Sequence, residues 1–114
     1  MDLDDVLSVI WDNTPVRIIN CPYQYAHVIY EGDKVESYRK NDPIYLEFFE
    51  TEEVVSIDHT SKYIQITVDV PEIIVEDGED LVTIDFHAIE KGIASSKAED
   101  IYDDMFVLAE RYTY

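Results

Sequence analysis

Two hydrophobic rhythms divide the chain. Leu3, Val6, Leu7, Ile10 and Trp11 recur at the i, i+3, i+4, i+7, i+8 spacing of one helical face, which predicts a short amphipathic helix over residues 2–11. Asp2, Asp4 and Asp5 fall in its first turn, where carboxylates suit the helix dipole, and Asn13 with Pro15 mark its end. Beyond it, β-branched and aromatic residues dominate at 16–19 and 27–30, separated by a Cys21-Pro22-Tyr23 turn, and predict a pair of strands. Glu31-Gly32-Asp33 reads as a turn into a third, more exposed strand at 34–38. Asp42-Pro43 then opens a segment reaching Glu53 that suits one or two helical turns.

The strand rhythm returns in 54–57 and 63–70, which flank the polar connection His59-Thr60-Ser61-Lys62 and predict a hairpin. Period two places Ile64, Ile66, Val68 and Val70 on one face and Tyr63, Gln65, Thr67 and Asp69 on the other. A second hairpin pairs 73–75 with 81–86 across Glu76-Asp77-Gly78-Glu79-Asp80. Ser96, three residues before Glu99, has the spacing of a capping box. Ala98, Ile101, Tyr102, Met105, Leu108, Ala109 and Tyr112 then share a helical face, predicting a terminal helix over 97–111, with a strand at 105–108 as the alternative. The expected architecture is α+β: an antiparallel meander sheet of about five to six strands with an N-terminal and a C-terminal helix. With no repeat or low-complexity linker, residues 1–114 read as a single domain.

Charge changes the picture most. Twenty-six acids against eight Lys and Arg give a net charge of -18, while the hydrophobic fraction of 46% sets the chain apart from a disordered acidic tail. Small soluble domains are comfortable at a net charge of magnitude about 2–8, so the excess asks for a use beyond solubility. Duplex DNA carries one charge per roughly 1.7 Å, so the same charge occupies about 30 Å of duplex. Long-range repulsion disfavours direct binding to nucleic acid or to an anionic membrane. Residues 72–114 are the densest part, with 12 acids against 3 bases. Glu76, Asp77, Glu79, Asp80, Glu99, Asp100, Asp103 and Asp104 are therefore the candidate partner-binding acids, with Tyr102 among them. Tyr23, Tyr25, Tyr112 and Tyr114 are further candidate interface anchors. The competing reading of the same acids is a solvated surface that contacts no partner.

Catalytic and metal chemistry find little support. Cys21 is the one cysteine, so no internal disulfide forms, which fits a reducing compartment. The start Met1-Asp2-Leu3-Asp4-Asp5 lacks a secretory pattern and no stretch approaches a membrane span, so a soluble, cytoplasmic protein is expected. His27, His59 and His87 lie tens of residues apart, without metal-ligand spacing, and read as structural or surface residues. The 76–80 loop lacks the alternating ligands of a calcium loop, and three glycines leave no phosphate cradle. No catalytic residue, metal or cofactor is assigned, and an enzyme is not expected.

The runs 6–18, 28–32, 54–57 and 64–68 resemble a hydrophobic pattern in short proteins of phages and mobile elements from low-GC Gram-positive bacteria. That resemblance covers about the first 70 residues and leaves the part from Pro71 onward without a counterpart. In size, charge and setting the chain is similar to anti-CRISPR and anti-restriction proteins, many of which imitate DNA, although no residue carries over. The resemblance implies an inhibitor of a bacterial DNA-targeting nuclease. Its partner would be a basic DNA-binding protein such as a Cas9-type nuclease, whose groove the acids would fill. The alternatives are an anti-restriction DNA mimic and a mobile-element accessory or structural protein that self-associates through sheet edges and tyrosines, so a homo-oligomer stays open.

Overall fold

The structure is a computed structural model that describes residues 1–33 and 47–111. Its elements are α1 (Leu3–Ser8), β1 (Pro15–Asn20), β2 (Tyr25–Asp33), β3 (Val54–His59), β4 (Ile64–Val68), β5 (Glu72–Asp77), β6 (Asp80–Asp85), α2 (Phe86–Lys91), α3 (Ser96–Met105) and β7 (Val107–Arg111). The α+β class holds, with a helix near each end. The strand expected at 34–38 and the first part of the helical segment at 42–53 lie outside the described residues. A helical turn does occupy 47–50, and it delivers Phe49 to the core.

The sheet is not the expected antiparallel meander. Five strands run in the order β3-β4-β1-β2-β7, and β5 with β6 forms a separate two-stranded sheet. The predicted strand pair β1 with β2 and the predicted hairpin β3 with β4 both exist in the large sheet, but they join through a parallel seam in which Ile18 pairs with Ile66. The reason lies in burial. Strands β1 and β4 are covered on both faces, and the central places of the sheet bury most, so these two come together. Parallel pairing needs a long crossover, and the 43 residues between Asn20 and Ile64 supply it. Central placement also covers β4's second face: Gln65 and Thr67 are buried, and Gln65 Oε1 accepts a hydrogen bond from Arg17 Nη1 at 3.3 Å.

Local chemistry explains the other shifts. The first helix stops at Ser8 rather than at residue 11, leaving Trp11 81% exposed, because Pro15 must already be extended to pair with Asp33. Asp2 and Asp5 cap it reciprocally, each backbone N–H donating to the other's carboxylate, at 2.8 and 3.3 Å. Glu31-Gly32-Asp33 does not turn; it continues β2 against Arg17, Val16 and Pro15.

Helix α2 has no counterpart in the hydrophobic periodicity. Its signals are Asp85, whose Oδ1 accepts from the N–H groups of His87 and Ala88, and Gly92, whose φ of 72° closes the helix. There the N–H groups of Gly92 and Ile93 donate to the carbonyls of Ile89 and Ala88, the Schellman pattern. In α3 the cap is Ser95, one residue before the predicted one, and its Oγ accepts from Ala98 N–H. The terminal helix also ends early, at Met105. Phe106 turns extended (φ -132°, ψ 163°) and is buried, and Val107–Arg111 adds to the otherwise free edge of β2, so the alternative of a closing strand is the one the fold takes.

One face of the five-stranded sheet carries the main core. Leu3, Val6 and Leu7 of α1, Phe49, Ile73 and Ile84 of the small sheet, Phe86, Tyr102 and Phe106 pack there against Ile18, Ile29, Ile66 and Val68. Phe86 centres the aromatic part, with ring centroids 4.8 Å from His27, 5.6 Å from Phe106 and 6.3 Å from Tyr102. Among the described residues no helix is long and apolar enough to cross a membrane.

Candidate functional site

Strands β5 and β6 pair from Glu72↔Asp85 to Asp77↔Asp80 and are joined by Gly78-Glu79, where Gly78 supplies a positive φ of 65°. The predicted acids Glu76, Asp77, Glu79 and Asp80 therefore crowd an exposed tip. The tip reaches the start of α3. Lys97 Nζ lies 3.0 Å from Asp80 Oδ2 and 3.2 Å from Asp77 Oδ2, and these two hydrogen-bonded carboxylates, Asp80 foremost, hold the ammonium's pKa above its ordinary value. Lys97 thus gathers the two predicted acid groups into one region while offsetting part of their charge.

Along α3 the acids form two columns, Glu99 with Asp103 and Asp100 with Asp104, each pair separated by a rise of about 6 Å. Asp100, Asp103 and Asp104 are exposed and Glu99 is half-buried. Tyr102, expected among the partner-facing residues, points the other way. It is 4% exposed because it shares the buried stripe of the helix with Ala98. Among the other tyrosines, Tyr23 is half-exposed and stacks on His87 at 4.7 Å, and it lines with Tyr25 and Lys91 a cleft of about 430 Å³. Tyr112 and Tyr114 lie outside the described residues.

Sequence reasoning missed a buried polar network behind that cleft. His27 on β2 is fully buried; its Nδ1 lies 2.7 Å from Tyr102 Oη and its Nε2 lies 2.7 Å from Glu90 Oε2. Glu90 follows Phe86 by four residues on α2, so one helical face presents both the ring and the carboxylate to the histidine. Burial lowers the pKa of His27, against the opposing hydrogen bond and charge of Glu90, so the ring is neutral at neutral pH. Burial, reinforced by Asp103 and Glu90, pushes the Tyr102 phenol far above its ordinary range, so it keeps its proton. These directions fix the tautomer: Tyr102 O–H donates to Nδ1, and Nε2–H donates to the carboxylate.

Glu90 Oε1 meanwhile accepts from the backbone N–H of Gln24 at 3.1 Å. The hydrogen bonds thereby clasp β2, α2 and α3 together. Cys21 stands nearby, half-buried, with its thiol pKa raised by burial and by the charges of Glu90 and Asp69; it is the reverse of an activated nucleophile. No trio of His, Cys, Asp or Glu side chains among the described residues is placed to hold a metal ion. No single-sequence signal marks the network, whose members lie 63 and 75 residues apart.

A second cleft, of about 410 Å³, opens where α2, α3 and β7 meet, lined by Ile89, Glu99, Tyr102, Asp103, Phe106, Val107 and Leu108. Comparisons with protein-family models, with curated proteins and with solved structures gave no match.

Proposed function

We propose that this chain is a binding protein that presents carboxylates to the cationic groove of a bacterial DNA-targeting nuclease, such as a Cas9-type effector, and inhibits it by taking the place of DNA. The observation that carries this reading is the pair of ion pairs at Lys97, which ties the acidic hairpin tip to the start of α3, the helix that carries the other acids. Two scales agree with it. A charge of -18 corresponds to about 30 Å of duplex, and the molecule measures 38 × 32 × 21 Å. Carboxylates held on a hairpin and a helix lose little freedom on meeting Arg, so bidentate pairs form at small entropic cost and opposite potentials speed encounter.

The test is competition. Labelled target DNA bound to the purified nuclease is titrated with this protein across a range of salt, with the wild type and with two variants: Glu76, Asp77, Glu79 and Asp80 all changed to Lys, and Asp100→Lys with Asp104→Lys. Displacement that weakens steeply with salt and is lost in the variants is the expected result. Undiminished displacement by both variants would remove the basis for mimicry, and a type II restriction enzyme run in parallel separates an anti-restriction role. The accessory or structural reading draws on a different observation, the exposed Val55 and Ile57 on one sheet edge and Val107 and Leu108 on the other. Salt-insensitive self-association in sedimentation would favour it.

A further inference from the structure

The five-stranded sheet ends at β7, which among the described residues pairs only with β2. Alternate backbone N–H and C=O groups of such a strand face outward unpaired, and natural edges are usually blunted by lysines, prolines or bulges. Here the register shifts between Leu108 and Arg111, which blunts the far part of the edge, but its first two residues are regular, apolar and exposed, Val107 at 65% and Leu108 at 44%. Leu108 lies opposite His27 in the register, which puts it on the core side of the sheet, the side that α3 covers. The cleft at this corner combines an apolar floor from Ile89, Phe106 and Leu108 with one acid column of α3, Glu99 and Asp103.

We infer that this edge and cleft form a docking site for an extended peptide segment whose residues facing α3, every second one along the strand, include both Lys or Arg and apolar side chains, added to the sheet as a further strand beside β7. Backbone pairing would supply affinity, and the side chains on one face of the incoming strand would enter the cleft, apolar ones against the floor and Lys or Arg against the two carboxylates. Charge selects this occupant over a second copy of the chain. Two molecules of net charge -18 repel one another, whereas a basic segment is drawn to the site from beyond contact distance. The inference rests on the reading of the molecule as a binder of basic partners, and it names the part of such a partner that is held. It does not require the partner to be a nuclease.

Any basic peptide adheres to so acidic a protein, so the experiment must separate pairing from charge. A fluorescein-labelled ten-residue peptide of repeating Lys-Lys-Val-Val, which sets Lys and Val in turn along each face of an extended strand, is titrated in an anisotropy assay. Its control has the same sequence with every backbone nitrogen methylated, which keeps the charge but removes the ladder donors on both edges. Binding about 10-fold weaker for the methylated peptide is expected, together with about 5-fold weaker binding of the parent peptide to Glu99→Gln/Asp103→Asn. Glu79→Lys at the hairpin tip should change it less than about 2-fold. Circular dichroism of each variant establishes that it is folded, and Asp103→Asn alone serves if the double variant is not.

Equal binding of the two peptides overturns the inference, since charge alone then accounts for it. So does binding that Glu79→Lys weakens as much as the α3 variants do, or a stable dimer that excludes the peptide. If the peptide fails in these ways while DNA is still displaced from the nuclease, the docking inference falls and the acidic-mimic reading stands. If the peptide binds specifically while DNA is not displaced, the docking site stands and the mimic reading falls.

Discussion

His27 and Glu90 are 63 residues apart in the chain and 2.7 Å apart in the fold, with the imidazole N–H aimed at a carboxylate whose side chain is only 5% exposed. Removing either side of this contact strands a buried polar group. Glu90→Ala leaves the His27 N–H and the Gln24 N–H without their acceptor, and Tyr102→Phe leaves Nδ1 without its donor. Each is expected to destabilise the protein by about 1–3 kcal/mol. Chemical denaturation at pH 7.5 measures it, and a change confined to a few tenths would show that the clasp contributes little.

The same network sets two pH limits. His27 has a folded-state pKa below its ordinary 6.5, so beneath that pH the unfolded chain binds a proton that the native state refuses. Its contribution is complete above about 6.5 and declines as pH falls toward the lowered value. Tyr102 has a folded-state pKa above its ordinary 10.0, so its contribution is complete below about 10 and is lost as pH rises further. Urea midpoints should therefore fall between pH 6.5 and 5.5 and again above pH 10. The acid-side fall should flatten in His27→Phe and the alkaline fall in Tyr102→Phe; unchanged profiles in these variants would assign the titrations elsewhere.

Asn20 clamps the exit from the large sheet. Its side-chain N–H₂ donates to Val70 O at 2.9 Å and its Oδ1 accepts from Val70 N–H at 2.8 Å, both buried. Asn20→Ala removes both partners of Val70's backbone groups at a buried position and is expected to destabilise by about 2–4 kcal/mol. Asn20→Asp keeps one bond but buries a charge and loses the donor, so it should be at least as damaging at pH 7. A variant that melts with the wild type would mean that the backbone finds other partners.

Cys21 should be a slow thiol. With burial and two carboxylates raising its pKa, alkylation by iodoacetamide at pH 8 is expected to run slower than for a free cysteine, and Asp69→Asn should speed it. Mass spectrometry of timed samples gives both rates. A thiol faster than free cysteine would require a cationic neighbour, which does not figure among the described residues that shift its pKa.

The core tightness of α2 gives a last expectation. Phe86 is fully buried and meets His27, Tyr102 and Phe106, so Phe86→Ala should destabilise by about 3–5 kcal/mol. Val107→Ala, at an exposed edge position, should shift stability by about 0.5 kcal/mol or less. Comparable losses for the two, measured by urea denaturation, would contradict the placement of the core.

Much of the local structure is legible in the chain. Period two marks β4, the Asp77-Gly78 loop marks the β5–β6 hairpin, and the spacing of Leu3, Val6 and Leu7 marks the first helix. Where expectation fails, a longer-range interaction overrides the local pattern. Glu31-Gly32-Asp33 has the composition of a turn, yet Pro15, Val16 and Arg17 offer it a partner and it stays extended. Residues 107–111 carry an acceptable helical pattern, but the open edge of β2 satisfies their backbone as a strand. The acids at 76–80 and 99–104 are visible as a group because charge is a property of composition, and the structure adds the ion pairs by which Lys97 ties Asp77 and Asp80 to the start of α3. Tyr102 faces the core instead of a partner because a helical face seen in sequence does not say which neighbour covers it.

By itself the sequence determined what depends on near neighbours and on totals: the helical and strand periodicities, the acidic first turn of α1, the turn at Gly78, and a charge of -18 that must face water. Only the tertiary structure decided the parallel seam between β1 and β4, the closing of the sheet by β7, and the burial of His27 between Glu90 and Tyr102. The physical reason is range. Backbone preference and solvation act within a few residues, whereas the pairing of strands and the satisfaction of buried polar groups are settled by whichever distant segments the core brings into contact.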